Sequence, residues 1–152
     1  MTIVSSLKKL FLIFKIMNSK ELIKDKINKD WGNESQFLVC MSILNYLLRV
    51  PPEQLSHITY GSLRKVVDKK FDDTELLIAI QYLSGDHIKL LEVKFELIED
   101  NEDNFPLPDS EMILARETGK LIHPEKGVIV DNYEDKVFMY FTPSSLVASI
   151  NN

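Results

Sequence analysis

The sequence has few of the residues from which common catalytic and metal-binding sites are built. It contains a single cysteine, Cys40, which excludes an internal disulfide and any cysteine-based zinc site. Only five glycines are present and none lies in a phosphate-binding loop, while no serine stands in a nucleophile elbow. The three histidines have no second histidine, cysteine or paired carboxylate at metal-ligand spacing. These absences predict a protein with no catalysis, no metal and no cofactor.

A long hydrophobic run is also missing. The most apolar stretch, SSLKKLFLIFKIM at residues 5–17, is interrupted by Lys15 and is followed by no small-residue cleavage site. It is too short to span a bilayer. Together with the lone cysteine, this pattern predicts a cytoplasmic protein without a signal peptide or a membrane partner. The size and acidity of the chain favour a bacterial type of protein.

Two interpretations of this N-terminal stretch remain open. One is an amphipathic helix packed on the domain or lying on a membrane, with Leu7, Leu10, Phe11 and Phe14 on one face and Lys8, Lys9 and Lys15 elsewhere. The other is that translation begins at Met17, in which case residues 1–16 are an upstream start artefact.

The composition of the remaining chain is that of one ordinary soluble domain. With 152 residues, 45% of them hydrophobic and 27% charged, the chain is long enough to bury a single core. The net charge of −5 is unevenly distributed. Residues 1–70 carry 12 Lys/Arg and 6 Asp/Glu, whereas residues 71–152 carry 6 Lys/Arg and 17 Asp/Glu. An anionic partner would therefore meet the N-terminal half.

Apolar residues at helical spacing predict four helices in the first 85 residues. The first is capped by Ser19 and runs to about Asp30, and the second begins at Asn33 or Ser35 and ends before Pro51. Cys40 lies on the apolar face of the second helix, which predicts an inert, buried thiol. After the β-prone residues HITY, a two-turn helix opens at Gly61 and Ser62.

The fourth helix is capped by Asp72, with Glu75 at capping-box spacing, and ends at Gly85. It is predicted to bury Leu76, Leu77, Ile80 and Leu83.

Beyond residue 90 the hydrophobic period changes from helical to alternating. LEVKFELIE predicts a half-buried antiparallel strand with Glu92, Lys94 and Glu96 on its solvent side. DNEDNFPLPD reads as an acidic loop that is either solvated and partly mobile or a docking segment for a basic partner. SEMILARETG reads as a short helix ending at Gly119. KLIHPEKGVIV predicts a hairpin turning at Pro124 to Gly127, and KVFMYFTPS a final strand.

This order of elements resembles the winged helix-turn-helix superfamily over roughly Glu34 to Glu99, plus the returning strand KVFMYF. The resemblance implies an α+β fold with a helical N-terminal part, a small antiparallel β-sheet wing and a C-terminal extension. Residues 1–32 would form an N-terminal helical extension and residues 33–152 one winged-helix domain. The region of about 99–135 is longer than a usual wing and strongly acidic, which departs from the simple pattern.

The helix after Asp72 occupies the place of a DNA-reading helix, yet it contains no lysine or arginine. Carboxylates there oppose the counterion release on which DNA affinity depends. We therefore expect a protein-interaction or assembly module, an accessory subunit of a larger complex, whose partner has a basic surface. The predicted contact residues are Asp72, Asp73, Glu75, Ile78, Ala79 and Tyr82, of which the last three are expected to form an exposed apolar strip.

Two alternatives remain. The first is a DNA-binding transcriptional regulator, expected to be a homodimer, that uses a basic patch on the helix-turn unit: Arg64, Lys65, Lys69 and Lys70, with Gln81 reading bases. The second is an enzyme centred on His123, although a hairpin corner that holds the imidazole against backbone is the simpler explanation of this residue.

Overall fold

Helices, a three-stranded antiparallel sheet and a two-stranded hairpin make up the described part of the chain. The structure, a computed structural model, describes residues 2–100 and 103–151, with the side chains of these residues except 2, 11–18 and 151. The helices are α1 (Thr2–Trp31), α2 (Ser35–Arg49), α3 (Tyr60–Val66), α4 (Asp73–Ser84), α5 (Asp109–Thr118) and α6 (Ser145–Asn151). The strands are β1 (Leu91–Leu97), β2 (Phe105–Leu107), β3 (Leu121–Ile122), β4 (Ile129–Val130) and β5 (Val137–Pro143). The predicted α+β class is confirmed.

The sheet has the order β2-β1-β5, and both pairings are antiparallel. Phe95 of β1 lies opposite Met139 of β5 and Leu107 of β2, which places β1 in the centre. The β-prone residues before α3 contribute a single bridge from Ile58 to Phe141, on the outer side of β5. The short strands β3 and β4 form a separate hairpin.

The main core is built around α2, whose apolar face is completely buried. Cys40, Ile43, Leu44 and Leu47 have no solvent exposure and pack with residues of α4, the sheet and α6. The end of α1 belongs to the same core through Ile23 and Ile27. Full burial of one such side chain stabilises a fold by about 1.5–3 kcal/mol.

The start of the chain differs from the prediction. Thr2–Trp31 is one continuous helix, so Ser19 lies inside it and does not cap a helix that begins there. Leu7 and Leu10 are exposed and do not pack on the domain. Of the other residues assigned to the amphipathic helix, Lys8 and Lys9 are also exposed, while the side chains of Phe11, Phe14 and Lys15 lie outside the described residues.

The acidic region is more ordered than the sequence suggested. The loop prediction missed β2, which pairs with β1 through Leu107, and a second small core forms beneath α5. That core consists of Leu97, Leu107, Met112, Ala115, Leu121 and Val130. The predicted end of α5 is confirmed, because Gly119 takes a left-handed conformation with φ of 75° that a side chain would disfavour.

The expectation that Glu96 faces solvent is wrong. The Ile58 bridge brings the preceding segment over that face of the sheet, and the Glu96 side chain is only 8% exposed. Its Oε1 lies 2.7 Å from His57 Nε2. The His57 ring, which is 44% exposed, stacks on Tyr140 with centroids 4.4 Å apart. A buried carboxylate is tolerated here because it has this partner.

Replacing His57 by alanine should destabilise the protein by about 2–3 kcal/mol, because it leaves the Glu96 carboxylate buried without that partner. The cost should be below that of a fully buried pair, since His57 is partly exposed. Adding Glu96→Gln to the variant should recover part of the loss by removing the charge. Urea unfolding of the single and double variants measures this, and equal stability of the two would contradict it.

The single thiol should report global unfolding. Burial raises the pKa of Cys40 to about 12, so the reactive thiolate is scarce as well as inaccessible. Iodoacetamide at about pH 8 should label the folded protein far more slowly than a small free thiol. Labelling should accelerate across the urea transition followed by circular dichroism. Rapid stoichiometric labelling without denaturant would show that α2 opens locally.

Candidate functional site

The N-terminus of α4 is closed by its own carboxylates. The Asp72 side chain accepts a hydrogen bond from the Glu75 N–H at 2.8 Å, and Glu75 Oε1 accepts one from the Asp72 N–H at 3.2 Å. The predicted capping box is therefore confirmed. Glu75 also accepts a hydrogen bond from the Ser35 hydroxyl, which connects α4 to the start of α2. Asp72 and Glu75 therefore both stabilise the start of α4.

Asp73 connects α4 to α3. Its Oδ1 accepts a hydrogen bond from the Tyr60 hydroxyl at 2.8 Å and lies 3.4 Å from Arg64 Nη1. The hydrogen bond to Asp73 raises the pKa of Tyr60 above its ordinary value. The carboxylate remains largely exposed, so it still contributes negative charge to the surface.

Two predictions about which residues of α4 are exposed are wrong. Ala79 was expected in the apolar strip, but it is 0% exposed, while Leu77, expected in the core, is 55% exposed. The core side of α4 carries Leu76, Ala79, Ile80 and Leu83 at spacings of three and four, a series that matches one face of a helix. The outward face consists of Thr74, Leu77, Ile78 and Gln81.

Tyr82 holds α4 against α1 and is not freely exposed as predicted. Its hydroxyl donates a hydrogen bond to Asp30, and its ring meets Trp31 edge-on at 5.3 Å between centroids. His87 Nε2 lies 2.9 Å from the same carboxylate. Burial and the hydrogen bond to Asp30 raise the pKa of Tyr82, whereas the bond from Tyr82 lowers the pKa of Asp30.

The outward face of α4 continues into an apolar groove against the sheet. We call this groove of about 510 Å³ the α4–sheet groove; it is lined by Leu77, Ile80, Gln81, Ser84, Gly85, Val93, Met139 and Phe141. Met139 is 53% exposed, and Ile78 is exposed beside the groove. No charged side chain is in the lining. Sequence reasoning missed Val93 and Met139 because their approach to α4 depends on sheet register.

Two of the four cations of the basic patch, Arg64 and Lys70, make contacts within the fold. Arg64 donates hydrogen bonds to the carbonyls of Asp68 and Phe71 at 3.0 and 2.8 Å, which fixes the turn between α3 and α4. The Lys70 ammonium lies 5.1 Å from the centre of the Phe71 ring. Lys65, Lys69 and Gln81 are exposed. The cations at the turn therefore stand next to the carboxylates of Asp72 and Asp73.

His123 stabilises the hairpin between β3 and β4. Its Nδ1 accepts hydrogen bonds from the N–H groups of Glu125 and Lys126, both at 3.1 Å, and its ring is 2% exposed. The ring meets Phe105 edge-on, with centroids 4.6 Å apart. The predicted turn from Pro124 to Gly127 is confirmed by the bond from the Gly127 N–H to the His123 carbonyl. With Nδ1 engaged by two donors, this nitrogen is not available as a proton acceptor for a substrate.

Comparisons with protein-family models, with curated proteins and with solved structures found no match. Within residues 2–100 and 103–151, no cluster of three or more His, Cys, Asp or Glu is arranged to hold a metal ion. In the same ranges no helix combines the length and apolar character needed to cross a membrane. The case for a function therefore depends on the α4–sheet groove and its surroundings.

Removing the Tyr82 hydroxyl should raise the pKa of Asp30. The hydrogen bond from Tyr82 lowers the pKa of Asp30 in the folded protein. This bond therefore stabilises the fold fully above the unfolded pKa of an aspartate, about 3.9, and the stabilisation is lost as the pH falls through the folded pKa. Tyr82→Phe should therefore destabilise the protein more at neutral than at acidic pH. NMR titration of Asp30 checks the shift. Tyr60→Phe is the control, because it loses a tyrosine–aspartate bond elsewhere and should leave Asp30 unchanged.

Proposed function

We propose that this chain is a winged helix-turn-helix module without catalysis that captures another protein through the α4–sheet groove, as an accessory subunit of a larger complex. The order α2, bridge, α3, turn and α4, followed by β1 and the returning β5, supports the winged-helix assignment. In this arrangement α4 is the second helix of the helix-turn-helix unit, and β1 and β5 are the strands of the wing.

One observation carries the proposal: the outward face of α4 has two exposed apolar side chains and no cation, where a DNA-reading helix is polar and basic. Leu77 and Ile78 are both exposed there, and the groove beside them is lined almost entirely by apolar atoms. A protein can place an apolar side chain in such a groove and exclude water, and such anchors dominate the energy of many interfaces. A phosphate backbone gains nothing from this surface.

The acids at the N-terminus of α4 favour a basic partner over an anionic one. Asp72, Asp73 and Glu75 surround its N-terminus, and no lysine or arginine occurs between Asp73 and Ser84. Rim charges of one sign accelerate association with a partner of opposite sign. They repel phosphate, on whose neutralisation DNA affinity depends.

A DNA-binding regulator remains the alternative because Lys65, Lys69 and Lys70 are exposed and Gln81 stands on the outward face of α4. Two features weaken it. Arg64, the fourth cation of the patch, is engaged with the turn, and Asp73 lies beside it.

Leu77→Glu should abolish partner capture, because it puts a charge into the apolar groove. Partners are first identified by affinity purification of the full chain and mass spectrometry, and binding is then measured with the purified partner. We expect affinity to fall at least about tenfold, or roughly 1.4 kcal/mol. Ile113→Glu is the matched control: Ile113 is also 55% exposed, but it lies on α5, outside the groove lining. It should bind normally.

If both variants lost affinity equally, or if neither lost affinity, the groove would not be the contact surface. The DNA alternative is tested in parallel by fluorescence anisotropy with duplex DNA at several salt concentrations. Salt-dependent binding that Lys65→Glu with Lys69→Glu removes, and Leu77→Glu does not, would replace our proposal with DNA recognition.

A further inference from the structure

The beginning of α1 has an apolar side that the domain does not cover. Every side chain from Ile3 to Leu10 is exposed. Four of them are large and apolar, and their spacing keeps them on one side of a helix. We call these four residues, which are between 57% and 72% exposed, the N-terminal stripe: Ile3, Val4, Leu7 and Leu10. Single exposed apolar residues are ordinary, but a contiguous set of them indicates a contact surface.

The N-terminal stripe points away from the domain. α1 is one continuous helix that joins the main core through Ile23 and Ile27. Successive residues lie about 100° apart around a helix, so Leu7 is about 160° from both of these core residues. At about 1.5 Å per residue, Leu10 is also roughly 20 Å along the axis from Ile23. The side of α1 that carries the stripe is therefore open to a flat surface.

The charges of this segment have one sign. Residues 1–20 contain four lysines and no aspartate or glutamate, whereas residues 21–152 contain 14 Lys/Arg and 23 Asp/Glu. Lys8 and Lys9 are exposed in the same turns of α1 as the stripe. An anionic surface would attract this segment and repel the acidic remainder of the chain.

We infer that the N-terminal stripe lies in the surface of an anionic lipid membrane, with the start of α1 parallel to the bilayer plane. The apolar side chains enter the boundary between headgroups and acyl chains, while the lysines reach the lipid phosphates. Glu21 and Asp25 limit the contact to the start of α1, because helical spacing puts them on the same side as Leu7. This inference replaces the expectation of no membrane partner.

A second copy of the chain fits the N-terminal stripe less well than a membrane. Two such segments packed side by side would bring their lysines together, and neither has an acid in its first 20 residues to pair with them. A stable protein interface also uses roughly 20–30 residues on each side, many more than the stripe has. A bilayer needs only a few inserted side chains and an opposite charge.

Flotation of the full chain with lipid vesicles tests the inference. The two probes are vesicles of equal parts phosphatidylglycerol and phosphatidylcholine, and vesicles of phosphatidylcholine alone. We expect the chain to float with the anionic vesicles and to bind the neutral ones much more weakly. Raising the salt concentration from about 0.1 M to about 1 M shortens the Debye length from about 10 Å to about 3 Å and should release most of the chain.

One pair of substitutions tests the apolar contribution. Leu7→Gln with Leu10→Gln removes half of the N-terminal stripe without changing the charge, and glutamine forms helices about as readily as leucine. Affinity for the anionic vesicles should fall at least about tenfold. The matched control is Leu38→Gln with Leu114→Gln, which changes two exposed leucines of α2 and α5. It should bind the vesicles normally.

A second pair tests the charge. Lys8→Gln with Lys9→Gln should weaken binding to the anionic vesicles by roughly fivefold for each lysine, and it should leave the weak binding to neutral vesicles unchanged. The matched control is Lys65→Gln with Lys69→Gln, which removes two exposed lysines from the basic patch. Its binding to the anionic vesicles should equal that of the unaltered chain.

A chain that does not float with the anionic vesicles would overturn the inference, as would flotation that persists in the variant of Leu7 and Leu10. Flotation lost only in the variant of Lys65 and Lys69 would move the contact to the basic patch. Self-association that the leucine variant abolishes, without vesicle binding, would assign the stripe to a second copy. Leu77→Glu should float normally, so failure of the membrane contact and failure of the α4–sheet groove as a partner site are separate results.

Discussion

The packing of α4 against α2 determines which surface this protein presents. The outward pair Leu77 and Ile78 is exposed only because Ala79 and Ile80 turn toward the core formed by α2. A rotation of α4 by one residue would bury Leu77 and expose Ala79, and the apolar surface beside the sheet would disappear. Capping at Asp72 and the hydrogen bond from Tyr82 to Asp30 hold the two ends of the helix, so its orientation is fixed at both.

The bridge between Ile58 and Phe141 has a comparable role for the sheet. It brings His57 over the buried carboxylate of Glu96 and at the same time occupies part of the outer edge of β5. The same contact that stabilises the inside of the sheet limits which strand can be added outside it.

Local sequence patterns predicted the helices, turns and caps well, but they predicted less well which side chains are buried. The capping box at Asp72, the end of α5 at Gly119 and the turn after His123 follow from neighbouring residues, and all are confirmed. Glu96 was misplaced because the residue that covers it, His57, is 39 positions away and no alternation reveals it. The continuous helix α1 was divided in the prediction because Ser19 resembles a cap even inside a helix.

For the candidate site, the sequence predicted the helix and its acidic start but not the groove. Ala79 and Leu77 were exchanged because the apolar residues of α4 fit two helical faces, and only the position of α2 selects one of them. The groove also needs Val93 and Met139, which meet α4 through the pairing of β1 with β5.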